Sequence, residues 1–280
     1  MKKKTIYPIL LSMAVMLSMT SCVKDDLFNT PHPDKGAVVI TPTWESALEE
    51  TDIPDRYRIF ADGVETTDKA LHTPGKHTLF VYNEPEGIQV DGHIATLTKG
   101  ADGTPCPMPG FLFSQTMEID VPQDDTLRVE VPMESRICPV SVLVRLEGDN
   151  LEGLEQITST LNGIAGSVDI YQNVLLGESL SLPAEVSVQK AKTRAEGTLV
   201  KLQWRIMGIL PQEKQLVTLH FKMKDGVEMS ETADISEYLQ EVDKMIPIEL
   251  SSTVEPPQDG DFTGGIGNWE IANGNGIEAN

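Results

Sequence analysis

The chain has few basic residues for its length. Its 280 residues include 22 lysines and arginines against 43 aspartates and glutamates, which gives a formal net charge of −21 at pH 7. Proteins that bind nucleic acid concentrate positive charge instead, because they neutralise phosphates. The composition therefore predicts no nucleic acid among the partners.

The chain also lacks the short motifs that carry catalysis or hold cofactors. No two histidines have the spacing of a helical metal site, no serine lies in a G-x-S-x-G turn, and no glycine-rich loop joins a strand to a helix. In so acidic a chain, the simplest interpretation of paired acids such as Glu49-Glu50 and Asp124-Asp125 is that they are solvated surface residues. We therefore expect no enzyme activity, no cofactor and no metal. The five histidines are His32, His72, His77, His93 and His220.

No apolar run is long enough to cross a membrane as a helix. The run at the amino terminus follows Lys2-Lys3-Lys4, covers 14 residues from 6 to 19 and ends at Thr20-Ser21-Cys22, whereas a spanning helix needs about 20 residues. This order is typical of a bacterial lipoprotein signal. It predicts removal of residues 1–21 and acylation of Cys22, palmitate included, which anchors the protein to the membrane. The alternative is a secreted protein with an incidental cysteine.

The residues after Cys22 predict a tether and an address. Val23-Lys24-Asp25-Asp26 resembles the signal that sends lipoproteins of one group of Gram-negative bacteria to the outer face of the outer membrane. A solvated tether explains the same polarity equally well. We assign residues 22–35 to the tether and predict a lipid-anchored outer-membrane protein exposed at the cell surface.

Two further cysteines follow, Cys106 and Cys138, each directly before a proline. Outside the cytoplasm such a pair can persist as a disulfide, and a bridge across a loop of this length stabilises a protein by about 3 to 4 kcal/mol. Two separate buried thiols are the alternative.

Apolar and polar residues alternate along most of the chain, and this period of two predicts strands. The alternation is clearest from Leu127 to Met133, where Pro132 indicates an edge strand. Asp91-Gly92 is predicted to turn a tight hairpin between residues 88–90 and 94–97.

The alternation restarts after Arg136. Two runs, residues 198–206 and 217–223, each place four apolar side chains on one face and are predicted to pair with each other. From Asp234 the apolar period becomes helical, which predicts one short helix that Pro247 ends before a last strand. The fold predicted is all-β, with two tandem β-sandwiches.

The predicted domain limits follow from these patterns. The amino-terminal sandwich covers residues 36–134 and the carboxy-terminal sandwich residues 135–254. No flexible linker separates them, so the two domains are expected to be closely coupled. Residues 255–280 are a glycine- and asparagine-rich tail, for which disorder and a loosely held terminal strand are both open.

The order and spacing of several segments resemble the fimbrillin-associated anchor family, the minor fimbrial lipoproteins of type V pili. The resemblance covers nearly the whole mature chain. Its segments are His32-Pro33-Asp34-Lys35-Gly36, Ile53-Pro54-Asp55-Arg56-Tyr57-Arg58-Ile59, Pro74-Gly75-Lys76-His77-Thr78-Leu79-Phe80-Val81-Tyr82-Asn83, Ile88-Gln89-Val90-Asp91-Gly92, residues 139–148, Thr160-Leu161-Asn162-Gly163-Ile164-Ala165-Gly166 and Ala233-Asp234-Ile235-Ser236.

The resemblance implies transthyretin-like sandwiches and a structural role in cell adhesion, as an anchor or accessory subunit of a fimbria. It also implies that the partners are fimbrial subunits, joined by strand addition at a sheet edge. The rival function is a surface glycan-binding lipoprotein, which needs exposed aromatic side chains on a concave face. Trp44 and Trp204 lie in phase with apolar faces and are expected in cores, which leaves Trp269 as the exposed candidate.

Related stalk subunits are cut by a protease after a basic residue near the first strand, which discards their lipid. Lys35, at the entrance to the first strand, and Arg56, placed within the second, are the corresponding candidates here. We expect this protein to remain uncut, because an anchor must keep its lipid.

Overall fold

The computed structural model describes residues 34–48, 51, 53–146, 153–189, 198–239, 248–254 and 267–271. This part of the chain is nearly all β, as predicted. Ten strands form the first half: β1 (Gly36–Thr43), β2 (Arg58–Ala61), β3 (Val64–Thr66), β4 (Lys69–His72), β5 (Gly75–Tyr82), β6 (Ile88–Asp91), β7 (Ile94–Leu97), β8 (Phe113–Val121), β9 (Thr126–Pro132) and β10 (Glu134–Ser135).

In the described residues of the second half, nine strands and the 3₁₀ turn Ser236–Leu239 follow. The strands are β11 (Cys138–Leu146), β12 (Leu154–Asp169), β13 (Val174–Pro183), β14 (Glu185–Gln189), β15 (Thr198–Ile206), β16 (Leu216–Met223), β17 (Glu228–Asp234), β18 (Ile248–Val254) and β19 (Gly267–Ile271).

Two sheets in the first half enclose one apolar core. Their strand orders are β4-β1-β9 and β10-β8-β5-β2-β3. As predicted, β9 is an edge strand among the described strands, and its alternate residues Val129 and Val131 are buried, as is Met133 directly after it. The other members of this core are Val38, Ile40, Ile59, Leu79, Val81, Phe113, Ile119 and Val121.

A larger core fills the second half between two further sheets. One has the order β14-β15-β11-β18-β19, and the other has the order β17-β16-β12-β7-β6 with β13 paired to β12. Every second residue of β11 from Cys138 to Leu146 is buried, which confirms the alternation that restarts after Arg136. The 16-residue β12 is irregular where it meets β13, so one long strand can serve several partners along its length.

The hairpin β6–β7 crosses from one half to the other. Its residues precede the predicted boundary by about forty positions, yet β7 pairs with β12 through Thr96↔Ser167, Ala95↔Val168 and Ile94↔Asp169. Ala95 and Leu97 are buried in the core of the second half. The two halves therefore share a sheet.

Pairing corrects one prediction about partners. Residues 198–206 and 217–223 do form strands with one buried face, but β15 pairs with β11 and β14, whereas β16 pairs with β12 and β17. The two strands therefore lie in different sheets and contribute to the same core from opposite sides. Alternation reports which face of a strand is buried and carries no information about its neighbour.

Three local predictions are refined. The hairpin turn consists of Gly92 and His93, because Asp91 pairs with Ile94 and the positive φ of 61° falls on Gly92. Of the predicted helix, the described residues contain the 3₁₀ turn Ser236–Leu239, and residues 240–247 lie outside them. The last strand is present as β18, and within the tail β19 pairs with it.

Candidate functional site: the first strand and the sheet edges

The first strand β1 lies in the middle of its sheet. It pairs in parallel with β9 over seven residues, from Ala37↔Thr126 to Thr43↔Pro132, and antiparallel with β4 over four. Val38 and Ile40 on its inner face are 0% and 4% exposed. A strand bonded on both edges and buried on one face is an integral part of the domain.

The entry of the chain into β1 is equally constrained. The carbonyl oxygen of Lys35 accepts a hydrogen bond of 2.9 Å from the amide of Asp124. A β-carbon on Gly36 would lie 2.0 Å from the carbonyl oxygen of Pro122. Only glycine allows so close an approach of two backbones.

The two basic residues of the cleavage hypothesis lie in different settings. Both side chains are exposed. The main chain at Lys35 is hydrogen-bonded at the start of β1. The sequence had suggested that Arg56 lies within the second strand, but it lies in the loop before β2. Proteases act on exposed flexible loops more readily than on strands held in a sheet, so Arg56 is the more accessible of the two.

The edge strands differ in how well they could accept another strand. Pro132 lies on β9, and β3 has only three residues. On β17 the partly buried Glu231 points inward, and one of its carboxylate oxygens is buried without a hydrogen-bond partner. Proline, shortness and inward charge are devices that protect sheet edges against pairing.

Strand β14 carries none of these protections. Among the described strands it pairs with β15 alone. Its sequence is Glu-Val-Ser-Val-Gln, and Val188 is 47% exposed. An edge with apolar side chains and little charge is the type that accepts an added strand.

The junction between the halves is built around Arg136. In the sequence this residue only marks the point after which the alternation restarts. Its guanidinium is buried; Nε donates to Ser114 Oγ at 2.7 Å and Nη2 to Ser114 O at 3.2 Å. Ser114 Oγ in turn donates to the carbonyl of Ile170 in the second half at 3.1 Å. Burial lowers the pKa of Arg136, while Glu134, 3.1 Å from Nη1, opposes that shift. These bonds hold the boundary in place.

Two histidines make contacts with acidic or main-chain acceptors. His77 lies 2.6 Å from Asp62 through Nδ1 and 2.7 Å from the carbonyl of Thr73 through Nε2, and both acceptors raise its pKa. His93 lies 3.0 Å from Asp169. Across the described residues, no group of three or more His, Cys, Asp and Glu side chains could hold a metal ion.

Among the described aromatic side chains Tyr171 is 41% exposed, and the others are buried or half-buried. As predicted, Trp204 is a core residue, 1% exposed, and Trp44 packs edge-on against Phe113 at a centroid distance of 5.2 Å. Two adjoining clefts of about 560 and 750 Å³ hold the half-buried rings of Phe111 and Tyr57 respectively. The guanidinium of Arg205 covers Phe111 at 4.3 Å. The cleft at Phe111 therefore offers a poor platform for a sugar ring.

Other predicted site residues lie beyond this description. Cys22 and His32 are outside the described residues, and Trp269 lies in β19, where only the backbone is described. No helix in the described part of the chain has the length and hydrophobicity needed to cross a membrane.

Cys106 and Cys138 are not joined by a disulfide in the structure. Cys138 is fully buried, and burial raises its pKa to about 12, while Cys106 is partly exposed.

In the Cys22→Ala protein at pH 8, we expect iodoacetamide to modify Cys106 and to spare Cys138 until urea is added, because the thiolate is the reactive species. Peptide mass spectrometry reads both sites. If neither cysteine reacts in urea before reduction, the two form a disulfide.

Comparison with known proteins gives these features a family. The family model described as fimbrillin-A associated anchor proteins Mfa1 and Mfa2 matches residues 32–275. The chain therefore belongs to this family of fimbrial anchor proteins, which confirms the resemblance seen in the sequence. No curated protein matches the chain.

Solved structures show the same fold at low sequence identity. The fimbrial anchor protein Mfa2 from Porphyromonas gingivalis is 12% identical, with a TM-score of 0.54 over 84% of this chain and 96% of that one. A candidate adhesin from Bacteroides ovatus is 17% identical, with a TM-score of 0.55 over 79% and 89% of the two chains. These similarities show a shared fold, and the matching family is one of fimbrial anchor proteins rather than a class of enzymes.

Proposed function

We propose that this protein is an outer-membrane lipoprotein that anchors a fimbria, or joins it as an accessory subunit, through lipid on Cys22. The observation that carries the proposal is the position of β1. The residues directly after the tether enter the centre of a sheet, where seven parallel pairs to β9 and four antiparallel pairs to β4 hold them. A membrane anchor needs its lipidated end joined firmly to the folded body.

The proposal requires an uncut chain. Cleavage after Arg56 would separate β1 from the rest of the polypeptide, and the buried Val38 and Ile40 would then be held only by non-covalent contacts. The native protein is therefore expected to begin at Cys22 and to retain both Lys35 and Arg56. A start at Gly36 or Tyr57 would instead identify a cleaved, polymerising subunit.

The lipid anchor is tested with Cys22→Ala. We expect wild type to fractionate with outer membranes and the variant to lose that association almost completely, because each buried acyl CH₂ contributes about 0.8 kcal/mol to membrane binding. The measurement is an immunoblot of separated fractions, with the intact mass of the wild-type protein as a second readout. Wild-type partitioning by the variant would refute the lipid anchor.

For the partner, we propose that a fimbrial subunit adds a strand along β14. Val188→Lys is expected to lower the amount of fimbrial subunit that co-purifies by at least about tenfold, since an edge lysine opposes pairing. Val64→Lys, on the short edge strand β3 and 69% exposed in wild type, is the matched control and is expected to co-purify normally. An equal loss in both variants, or in neither, would contradict the choice of β14.

A further inference from the structure

The order of strands in each half has a mechanical consequence. In the first half, β1 is parallel to β9, the last long strand before the boundary. The contact runs from the bond between Lys35 O and Asp124 N to the bond between Thr43 O and Met133 N, each 2.9 Å. The chain therefore enters the ladder at one end, on β1, and leaves it at the other end, on β9.

This geometry decides how the ladder responds to tension. If the two strands were antiparallel, entry and exit would lie at the same end, and the bonds would break one after another. Because they are parallel, a pull on the amino-terminal tether against the rest of the chain slides β1 along β9. All the bonds of the ladder then bear the load together, and forced unfolding depends on breaking them in one step.

The second half repeats the arrangement. Its first strand, β11, is parallel to β18, with seven pairs from Val140↔Ile248 to Leu146↔Val254. A pull on the chain after Val254 enters β11 directly after Arg136 and leaves β18 at its far end. Each half thus places its first strand parallel to a late strand, with the entry and the exit at opposite ends.

The connection between these two ladders is itself fixed. Glu134 and Ser135 pair with β8, and the amide of Arg136 donates to Leu112 O at 2.7 Å. The side chain of Arg136 adds its two bonds to Ser114. No flexible hinge therefore lies between the end of β9 and the start of β11.

We propose that the fold is a force-bearing connector, in which β1∥β9 is a shear-loaded clamp between the membrane tether and the rest of the protein, and β11∥β18 is a second clamp, in series with it, for tension applied to the chain after Val254. The direction of the load rests on the proposed function, because it assumes that tension enters from the lipid on Cys22. The mechanical resistance is a property of the folded chain and can be measured without lipid.

The test is single-molecule pulling on the full mature chain carrying Cys22→Ala and Cys106→Ser, with one handle at the amino terminus. In the shear geometry the second handle is attached through Glu255→Cys, directly after β18. In the peeling geometry it is attached through Gln123→Cys, an exposed residue close before β9, so that entry and exit lie at the same end of β1∥β9. The thermal unfolding of both variants is compared first, and only variants that melt like the parent are pulled.

We expect the shear geometry to rupture at a force at least about twofold higher than the peeling geometry at the same pulling rate. Equal forces, or a lower force through residue 255, would overturn the proposal. Loss of membrane binding in Cys22→Ala bears only on the lipid anchor. The two ideas can therefore fail separately.

Discussion

Trp204→Ala is expected to lower the free energy of unfolding by about 3 to 5 kcal/mol, the range for removing a buried aromatic side chain. Trp204 lies on β15 with 1% of its surface exposed, among the largest side chains of the second core. Its Nε1 donates to Leu182 O at 3.0 Å. The substitution leaves a cavity and also leaves that buried carbonyl without its partner.

Urea denaturation followed by circular dichroism measures the change, since the fluorescence of the protein is altered by the substitution itself. Trp44→Ala is the matched control. Trp44 is half-buried at the margin of the first core, so its loss is expected to cost only about 1 to 2 kcal/mol. Equal costs for the two variants would mean that Trp204 is not the central packing element of its half.

Arg136→Ala is expected to cost about 2 to 3 kcal/mol and to uncouple the two halves. The variant removes the hydrogen bonds to Ser114 Oγ and Ser114 O, and buried polar groups left without partners are costly. Ser114→Ala is expected to cost a similar amount, because it removes an acceptor from a buried guanidinium. Calorimetry is expected to show one transition for wild type and two for the arginine variant.

A double-mutant cycle separates the contact from other effects of the substitutions. Because Arg136 and Ser114 touch, the double variant is expected to cost about 1 to 3 kcal/mol less than the sum of the two single variants. Lys222→Ala, which removes a surface ion pair of 3.6 Å with Glu155, is the control and is expected to change stability by at most about 1 kcal/mol. Additive costs in the cycle would show that the two residues act independently.

The local structure of many segments follows from the residues themselves. The alternation along β9 and β11 correctly identifies their buried faces, and Pro132 correctly marks an edge. Side chains on a strand point to opposite faces in turn, so a buried face is visible in the sequence. The hairpin β6–β7 is recognisable for the same reason, together with its glycine turn.

The sequence did not predict which distant strands lie next to each other in a sheet. The sequence suggested that β15 and β16 pair, whereas each lies in a different sheet. Nor did any pattern place the hairpin β6–β7 in a sheet of the second half. Arg136 is a further case: its place after Glu134 and Ser135 does not reveal that it is buried or that Ser114 is its partner.

By itself the sequence determined that this protein is an all-β chain of the fimbrial anchor family, with strands whose buried faces can be assigned residue by residue. The strand faces could be assigned because burial of one face requires a local period of two, which is written in consecutive residues, whereas the family followed from the order and spacing of several segments. The tertiary structure alone decided that β1 lies between β4 and β9, that the first strand of each half runs parallel to a late strand, and that the halves share a sheet. Backbone hydrogen bonds between strands are nearly independent of side-chain identity, so strand neighbours are selected by how two whole cores fill, and no single segment encodes them.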